Sequence, residues 1–192
     1  ARHNVRISQP LKRNEKTATG SEEIWSYMEE ILVQSIRDGS YTPSPVRRKE
    51  IPKPDGGVRK LGIPTVVDRV IQQAIAQKLQ SIWEPLFSDS SYGYRPKRSA
   101  QQAIRKVKKY AEEGYRYAVS VDLSKYFDTL NHELLMNLLH KQIQDMCVLS
   151  LVKKYLKSGV MENGEICKTE EGSPQGGPLS PLLANIYLNE FD

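Results

Sequence analysis

The chain has 192 residues, a net charge of +5 and 39% hydrophobic residues, which is enough to form one well-packed core. No apolar run approaches the length of a membrane span, and no apolar stretch follows the basic start, so we predict neither a membrane protein nor a secreted one. Cys147 and Cys167 are too few and too far apart for a disulfide framework or a zinc site. They indicate reduced thiols in a cytoplasmic protein.

The basic residues are concentrated in two regions, whereas the last part of the chain is acidic. Residues 92–109 contain seven lysines and arginines and no acid, and residues 47–69 contain seven more basic residues. Residues 161–192 carry five glutamates. Charge segregated in this way suggests a polyanionic partner on one face of the molecule, although a solvated basic surface explains it equally well.

The first half of the chain predicts an arm, a helix, a hairpin and a second helix. Residues 1–15 lack periodicity, and apolar residues at helical spacing over 21–38 predict a helix. Two short strands, 48–51 and 58–63, flank Pro54-Asp55-Gly56-Gly57, a sequence typical of a flexible β-turn. Thr65 and Asp68 then form a capping box for a helix that ends before Pro85.

The second half alternates helices with short strands. Ser99 caps a helix to about residue 113, and the alternating apolar residues of 115–121 predict a strand that ends at Asp122. Asn131 caps a leucine-rich helix, and a further helix is predicted over 148–157. A hairpin turns at Asn163-Gly164, and a last helix begins near Pro178 or Ser180. Because no regular strand–helix–strand cycle is present, the fold class is predicted to be α+β.

Two motifs carry chemistry. Asp122 at the end of the apolar strand is followed five residues later by Phe127, in the sequence YAVSVDLSKYFD. About fifty residues on, SPQGGPLSPLLANIYL places a Pro-Gln-Gly-Gly turn before the last helix. An Asp alone at a strand end is often only a helix cap, and PQGG alone is a weak signal. In this order and spacing, the two motifs resemble the palm of a reverse transcriptase.

Two further segments extend the resemblance. EIPKPDGGVRKLGIPTVVDRVIQQAI (50–75) and FSDSSYGYRPKRSAQQAI (87–104) are similar to the finger motifs of reverse transcriptases encoded by group II introns. The span from about residue 46 to residue 192 follows that family in order. The resemblance implies right-hand polymerase fingers and a partial palm, with helices packed on short antiparallel strands and hairpins. It divides the chain into an N-terminal extension and helix (1–40), fingers (41–98 and 131–172) and palm (99–130 and 173–192).

The resemblance also implies roles for single residues. Asp122 would be the catalytic carboxylate and, with the Leu123 carbonyl, would bind Mg²⁺, because hard cations prefer oxygen ligands. Phe127 would exclude a 2′-hydroxyl from the nucleotide pocket by steric clash. Lys53 and Arg59 would clamp the triphosphate of the incoming dNTP, while Gln175 and Gly176 would line the nascent base pair. Nucleic-acid contacts would come from Tyr94, Arg95, Lys97, Arg98, Arg105 and Lys109.

The implied partners are an intron RNA template, a DNA primer and dNTP, and the implied parent protein is an RNA-directed DNA polymerase that also acts as a splicing maturase. The family takes two further metal-binding carboxylates from an aromatic-Ala-Asp-Asp hairpin, and these 192 residues contain no Asp-Asp. We therefore expect the chain to be a fragment that does not polymerise alone. Alternatives are an RNA-binding module without polymerase role, a retron, diversity-generating or CRISPR-associated reverse transcriptase, and a homodimerising structural role.

Overall fold

The computed structural model describes residues 18–54 and 56–192, with the side chains of the first helix described from Tyr27 onward. The predicted N-terminal arm and the Asp55 position of the hairpin tip lie outside the described residues. The chain divides into two compact units, Ala1–Tyr41 and Thr42–Asp192. The second unit carries all of the motifs found in the sequence.

The first unit contains the predicted N-terminal helix, α1 (Ala18–Arg37). The helix ends where the Asp38 amide donates to the Gln34 carbonyl at 2.9 Å and the Tyr41 amide donates to the Ser35 carbonyl at 2.9 Å. Within this unit, Met28 and Ile31 on the predicted apolar face stay about half exposed, at 55% and 52%.

The second unit contains one four-stranded sheet made from the two predicted hairpins. Its strands are β1 (Val46–Pro52), β2 (Val58–Ile63), β3 (Val160–Glu162) and β4 (Glu165–Cys167), in the order β2-β1-β3-β4. Each hairpin is antiparallel, as its turn sequence predicts. The two hairpins are joined by a short parallel pairing of β1 with β3, a long-range contact that local sequence patterns do not specify.

The described helices of the second unit are α2 (Val66–Trp83), α3 (Ala100–Glu112), α4 (His132–Gln142), α5 (Met146–Leu156) and α6 (Ser180–Leu188), and all of them except α3 contribute residues to its core. The caps predicted at Thr65, Ser99 and Asn131 are all formed by side-chain oxygens that accept backbone N–H groups. Leucines from α2, α4, α5 and α6 fill the core, among them Leu79, Leu135, Leu139, Leu156 and Leu183. Among the described residues, no helix has the length and apolar character needed to cross a bilayer.

The strand predicted to carry Asp122 is not formed, so that prediction is wrong for this structure. Residues 115–123 have no regular secondary structure, and Tyr117 and Val119 are 98% and 91% exposed. Alternating apolar residues favour a strand only when a neighbouring strand accepts and donates its backbone hydrogen bonds. Within the described ranges, all strand pairing is confined to the four-stranded sheet, which does not include this segment.

The apolar side of helix α3 is also exposed. It contains no buried residue, and Ile104 and Val107 are 67% and 65% exposed. Its capping box is nevertheless complete, because the Ser99 amide donates to the Gln102 side chain at 2.8 Å. The local signals for this helix are therefore correct, although no described element covers its apolar face.

Candidate active site

A cleft of about 1110 Å³ lies in the second unit. It gathers residues from the β1–β2 hairpin, the Tyr94 loop, the turn after Asp122, the Pro-Gln-Gly-Gly turn and the end of α6. The lining includes most of the residues that the sequence assigns to catalysis and nucleotide binding, namely Lys53, Arg59, Asp122, Leu123, Phe127 and Gln175. It also includes Tyr94, which the sequence assigns to nucleic-acid contact. Lys53 and Gln175, which are 122 positions apart in the sequence, therefore line the same cleft.

The turn that follows Asp122 forms one side of the cleft. The chain winds into a short 3₁₀ turn, Tyr126–Asp128, after Lys125. The Phe127 carbonyl accepts the Ser173 amide at 2.7 Å. Gly172 has φ +82, and a Cβ there would lie 2.7 Å from the Phe127 carbonyl oxygen. A glycine is therefore required for the chain to bring the Pro-Gln-Gly-Gly turn against this turn.

The Pro-Gln-Gly-Gly turn is held from its other side by strand β2. The Gly62 amide donates to the Gln175 carbonyl at 2.7 Å, which places Gln175 in the cleft. Gly176 has φ +126, and a Cβ on it would lie 2.8 Å from the Gly62 carbonyl oxygen. Gly176 does not line the cleft. Its close backbone approach is to β2, and its assignment to the nascent base pair stays a prediction.

Arg95 does not have the exposed position that its predicted nucleic-acid contact requires, because its side chain is buried within the protein. Its guanidinium donates to the Glu84 carboxylate at 2.9 Å and to the carbonyls of Ser88 and Ser91 at 2.6 and 2.9 Å. It also lies 5.2 Å from the centroid of the Phe87 ring. All three guanidinium nitrogens are used in this way, so Arg95 fixes the loop and is not available to a nucleic acid.

The neighbouring Tyr94 faces the cleft instead. It is 73% exposed, and its backbone is left-handed, with a φ of 53°. Helix α6 anchors the preceding loop, because the Asn185 amide donates to the Gly93 carbonyl at 2.8 Å and Asn189 donates to the Leu86 carbonyl at 3.3 Å. These bonds connect the position of Tyr94 to the helix that follows the Pro-Gln-Gly-Gly turn.

The other residues predicted to contact nucleic acid lie outside the cleft. Lys97 is exposed, and Arg98 donates to the Asp89 carboxylate at 2.9 Å while stacking near Tyr92. Arg105 and Lys109 are exposed on α3, where Lys109 forms an ion pair with Glu113 at 3.6 Å. Of the predicted set, Tyr94 lines the cleft, Lys97 and Arg98 lie in the loop before α3, and Arg105 and Lys109 lie on α3.

The sequence analysis missed three cationic residues of the cleft, Arg48, Lys60 and Lys125. Arg48 and Lys60 share one face of the hairpin, because Arg48 pairs with Gly62 and strand side chains alternate between faces. The register of the β1–β2 hairpin would have indicated that Arg48 and Lys60 lie on the same face. With Lys53 and Arg59, the cleft contains five cationic side chains against the three carboxylates of Asp122, Asp128 and Asp192.

Tyr126 connects the 3₁₀ turn after Asp122 to helix α6. Its phenol donates to the Ala184 carbonyl at 2.9 Å, and its ring lies edge-on to Phe127 at 5.5 Å between centroids. Burial, together with the neighbouring Tyr187, raises the pKa of Tyr126 to about 12. The phenol is therefore protonated and able to donate throughout the neutral range.

The described residues do not by themselves complete a metal site. Within the described ranges, no group of three histidine, cysteine or carboxylate side chains could hold a metal ion. Asp122 offers one carboxylate and Leu123 one carbonyl, whereas Mg²⁺ prefers near-octahedral oxygen coordination. Asp122 can thus be one ligand of such a site, and the remaining protein ligands would have to come from elsewhere.

Comparison with known proteins identifies the family. Residues 51–192 match the family described as "Reverse transcriptase (RNA-dependent DNA polymerase)". The chain belongs to the reverse transcriptase family. The predicted resemblance and the α+β class are confirmed by this match and by the mixed helices and small sheet of the structure. Reverse transcriptases use divalent metal ions, which agrees with a carboxylate in the cleft.

Among curated relatives, the chain is 46% identical over 162 residues to the group II intron-encoded protein LtrA of Lactococcus lactis subsp. cremoris, covering 84% of this chain and 27% of that protein. It is 44% identical over 167 residues to protein YkfC of Escherichia coli K12, covering 85% of this chain and 44% of YkfC. The chain therefore spans less than half the length of either relative.

The fold is also similar to a chain of a solved partial Cas6-RT-Cas1--Cas2 complex, with a TM-score of 0.56 and 25% identity. The match covers 98% of this chain and 31% of that chain. Identity to the intron-encoded protein is higher, at 46%, so the comparison favours the group II intron lineage over the CRISPR-associated alternative.

Proposed function

We propose that this chain is the fingers and first part of the palm of a longer RNA-directed DNA polymerase of the group II intron type. The observation that carries the proposal is the cleft, which unites Asp122, Phe127 and Gln175 with Lys53 and Arg59 in a chain of the reverse transcriptase family. A cationic pocket beside a carboxylate suits a nucleoside triphosphate. The cations bind its phosphates, and the carboxylate can hold a metal ion that activates the reacting hydroxyl.

The proposed roles follow from the chemistry of each side chain. Asp122, with the Leu123 carbonyl, contributes oxygen ligands for Mg²⁺, which would neutralise the triphosphate and activate the primer hydroxyl when bound. Lys53 and Arg59 bind phosphate oxygens. Phe127 closes the space beside the sugar, and Gln175 presents its amide to the base pair.

The exposed apolar segment 117–123 fits the same proposal. Val119 and Val121 are 91% and 65% exposed, and alternating residues of this kind pack well only in a sheet. We propose that the longer protein supplies strands that pair with this segment and carry the missing carboxylates. Asp122 would then stand at the end of a paired strand, as the sequence pattern predicts.

A primer-extension assay tests the proposal. The longer protein should extend a DNA primer on an RNA template with dNTP and Mg²⁺, whereas purified 1–192 should not, because its described carboxylates form no metal-binding group. Absence of RNA-templated extension by the longer protein contradicts the proposed activity. Mg²⁺-dependent extension by pure 1–192 contradicts the proposal that its metal site is incomplete.

A second proposed function is binding of structured intron RNA, as expected for a maturase. It is supported by the similarity to the group II intron-encoded protein and by the exposed basic residues Lys97, Arg105 and Lys109, which lie outside the cleft. Phosphate neutralisation by such residues gives affinity that falls steeply with salt. The same residues suit an RNA backbone, because lysine and arginine bind phosphates without reading sequence.

Replacing Lys97, Arg105 and Lys109 together by alanine should weaken binding of intron RNA by 1–192 about tenfold or more and should lower the salt slope by roughly three. Arg95 is left intact because its buried ion pair supports the loop. A matched control replaces Lys153, Lys154 and Lys157 of the α5 region, which should change the affinity by less than about threefold. Equal effects of both triple variants contradict a specific basic face.

The setting and assembly of the protein also remain proposals. We propose a cytoplasmic protein, supported by two exposed cysteines that form no disulfide. The exposed apolar face of α3 can be covered in two ways. Either further segments of the same chain pack on it, or a second copy of the protein packs on it in a homodimer. Sedimentation at several concentrations, with and without Val107→Glu, separates the two arrangements.

A further inference from the structure

Lys125 has a backbone conformation that does not suit a lysine. Its φ is 51°, in the left-handed region that residues with a Cβ adopt unfavourably. The conformation is imposed by the turn, because the Lys125 carbonyl accepts the amides of Asp128 at 2.7 Å and Thr129 at 3.2 Å. Glycine would satisfy the same turn with less strain. A strained non-glycine residue that persists beside a site suggests that its side chain has a task.

The Lys125 side chain is exposed and lines the cleft. Among the described residues, no carboxylate lies within ion-pair distance of its ammonium group, in contrast to Arg48, which has Glu162 at 3.8 Å. Lys125 follows Asp122 by three residues, so the two Cα atoms lie at most about 11 Å apart. A free ammonium so close to the catalytic carboxylate is available for an anionic ligand.

We propose that the Lys125 ammonium binds a phosphate oxygen of the incoming nucleoside triphosphate. This inference rests on the proposed polymerase function and adds a phosphate contact to Lys53 and Arg59. The cleft carries five cations, and only Arg48 among them has an ion-pair partner in the described part of the chain. The triphosphate is favoured over the nucleic-acid backbone because Lys125 lies between Asp122 and Phe127, which are assigned to the metal and to the nucleotide sugar.

The test is Lys125→Gly in the longer protein. The proposal predicts that this variant is more stable than the wild type but binds dNTP more weakly. The melting temperature should rise by about 1–3 °C, since glycine relieves the left-handed strain. The KM for dNTP should rise about tenfold or more, since a charged phosphate contact is lost. The Kd for primer–template should stay within about twofold.

Three companion variants make the result decisive. Asn163→Gly relieves a left-handed residue (φ 53) at the β3–β4 turn, outside the cleft, and should leave the KM unchanged. Lys125→Arg keeps the charge and should keep the KM within about threefold. Lys125→Asn tolerates the left-handed backbone without the charge, and should reproduce the KM increase even where the glycine variant folds poorly.

The outcomes separate the two proposals. Wild-type protein that does not extend primers contradicts the polymerase function itself. Active wild-type protein with an unchanged dNTP KM in Lys125→Gly and Lys125→Asn overturns the role of Lys125 alone. An increased primer–template Kd with an unchanged dNTP KM overturns the triphosphate assignment and places the ammonium on the nucleic-acid backbone.

Discussion

Asp122→Asn should reduce RNA-templated primer extension by the longer protein by about 1000-fold or more. The substitution replaces an anionic metal ligand by a neutral amide, and a loss of about 4 kcal/mol of transition-state stabilisation corresponds to that factor. The carboxylate is exposed in the cleft and makes no hydrogen bond or ion pair with the described residues. The melting temperature should therefore stay within about 2 °C, because no folded-state interaction is lost.

The matched control is Asp128→Asn, which removes a carboxylate from the same cleft. Asp128 contributes its backbone amide to the turn at Lys125, and its side chain has no assigned role in the chemistry. Extension should fall less than about tenfold, with the change explained by the altered charge of the cleft. Similar losses for the two variants would show that cleft charge, and not a ligand at Asp122, determines activity.

Phe127→Ala should reduce the discrimination between dNTP and the corresponding rNTP by about 30–150-fold. The ring is partly buried, lies edge-on to Tyr126 and lines the cleft, so its removal opens space beside the nucleotide sugar. A steric clash with one hydroxyl is worth about 2–3 kcal/mol, which sets the expected range. The measurement is the ratio of kcat/KM for dNTP and rNTP on one template.

Phe191→Ala provides the aromatic control for this experiment. Phe191 also lines the cleft but is 78% exposed and lies beyond the end of α6. Its removal should leave the ratio of kcat/KM within about threefold, because no sugar contact is assigned to it. A loss of discrimination in both variants, or in neither, would contradict a steric role specific to Phe127.

Local patterns were sufficient to predict most of the helices and both hairpins. Both hairpins and the caps at Thr65, Ser99 and Asn131 form as their turn and capping sequences predict. These signals succeed because they depend on backbone dihedrals and hydrogen bonds within a few residues. The family motifs correctly indicated which distant residues meet, although the motifs alone do not explain how.

Arg95 shows where such patterns fail. A basic loop residue was expected to face a nucleic acid, yet Arg95 is buried against Glu84. This outcome depends on the packing of the loop onto itself, because the Arg95 guanidinium also donates to the carbonyls of Ser88 and Ser91. Charge and composition describe how a residue can interact, whereas its partner is decided by the path of the chain.

Asp122 illustrates most clearly the difference between what sequence and tertiary structure decide. The sequence by itself determined the family, the α+β class and the identity of Asp122 as the candidate carboxylate. Only the tertiary structure decided that residues 115–123 stay unpaired, that β1 joins β3, and that Lys125 enters the cleft. The physical reason is that a motif is local, whereas a strand needs a neighbour and a cleft needs walls from distant segments.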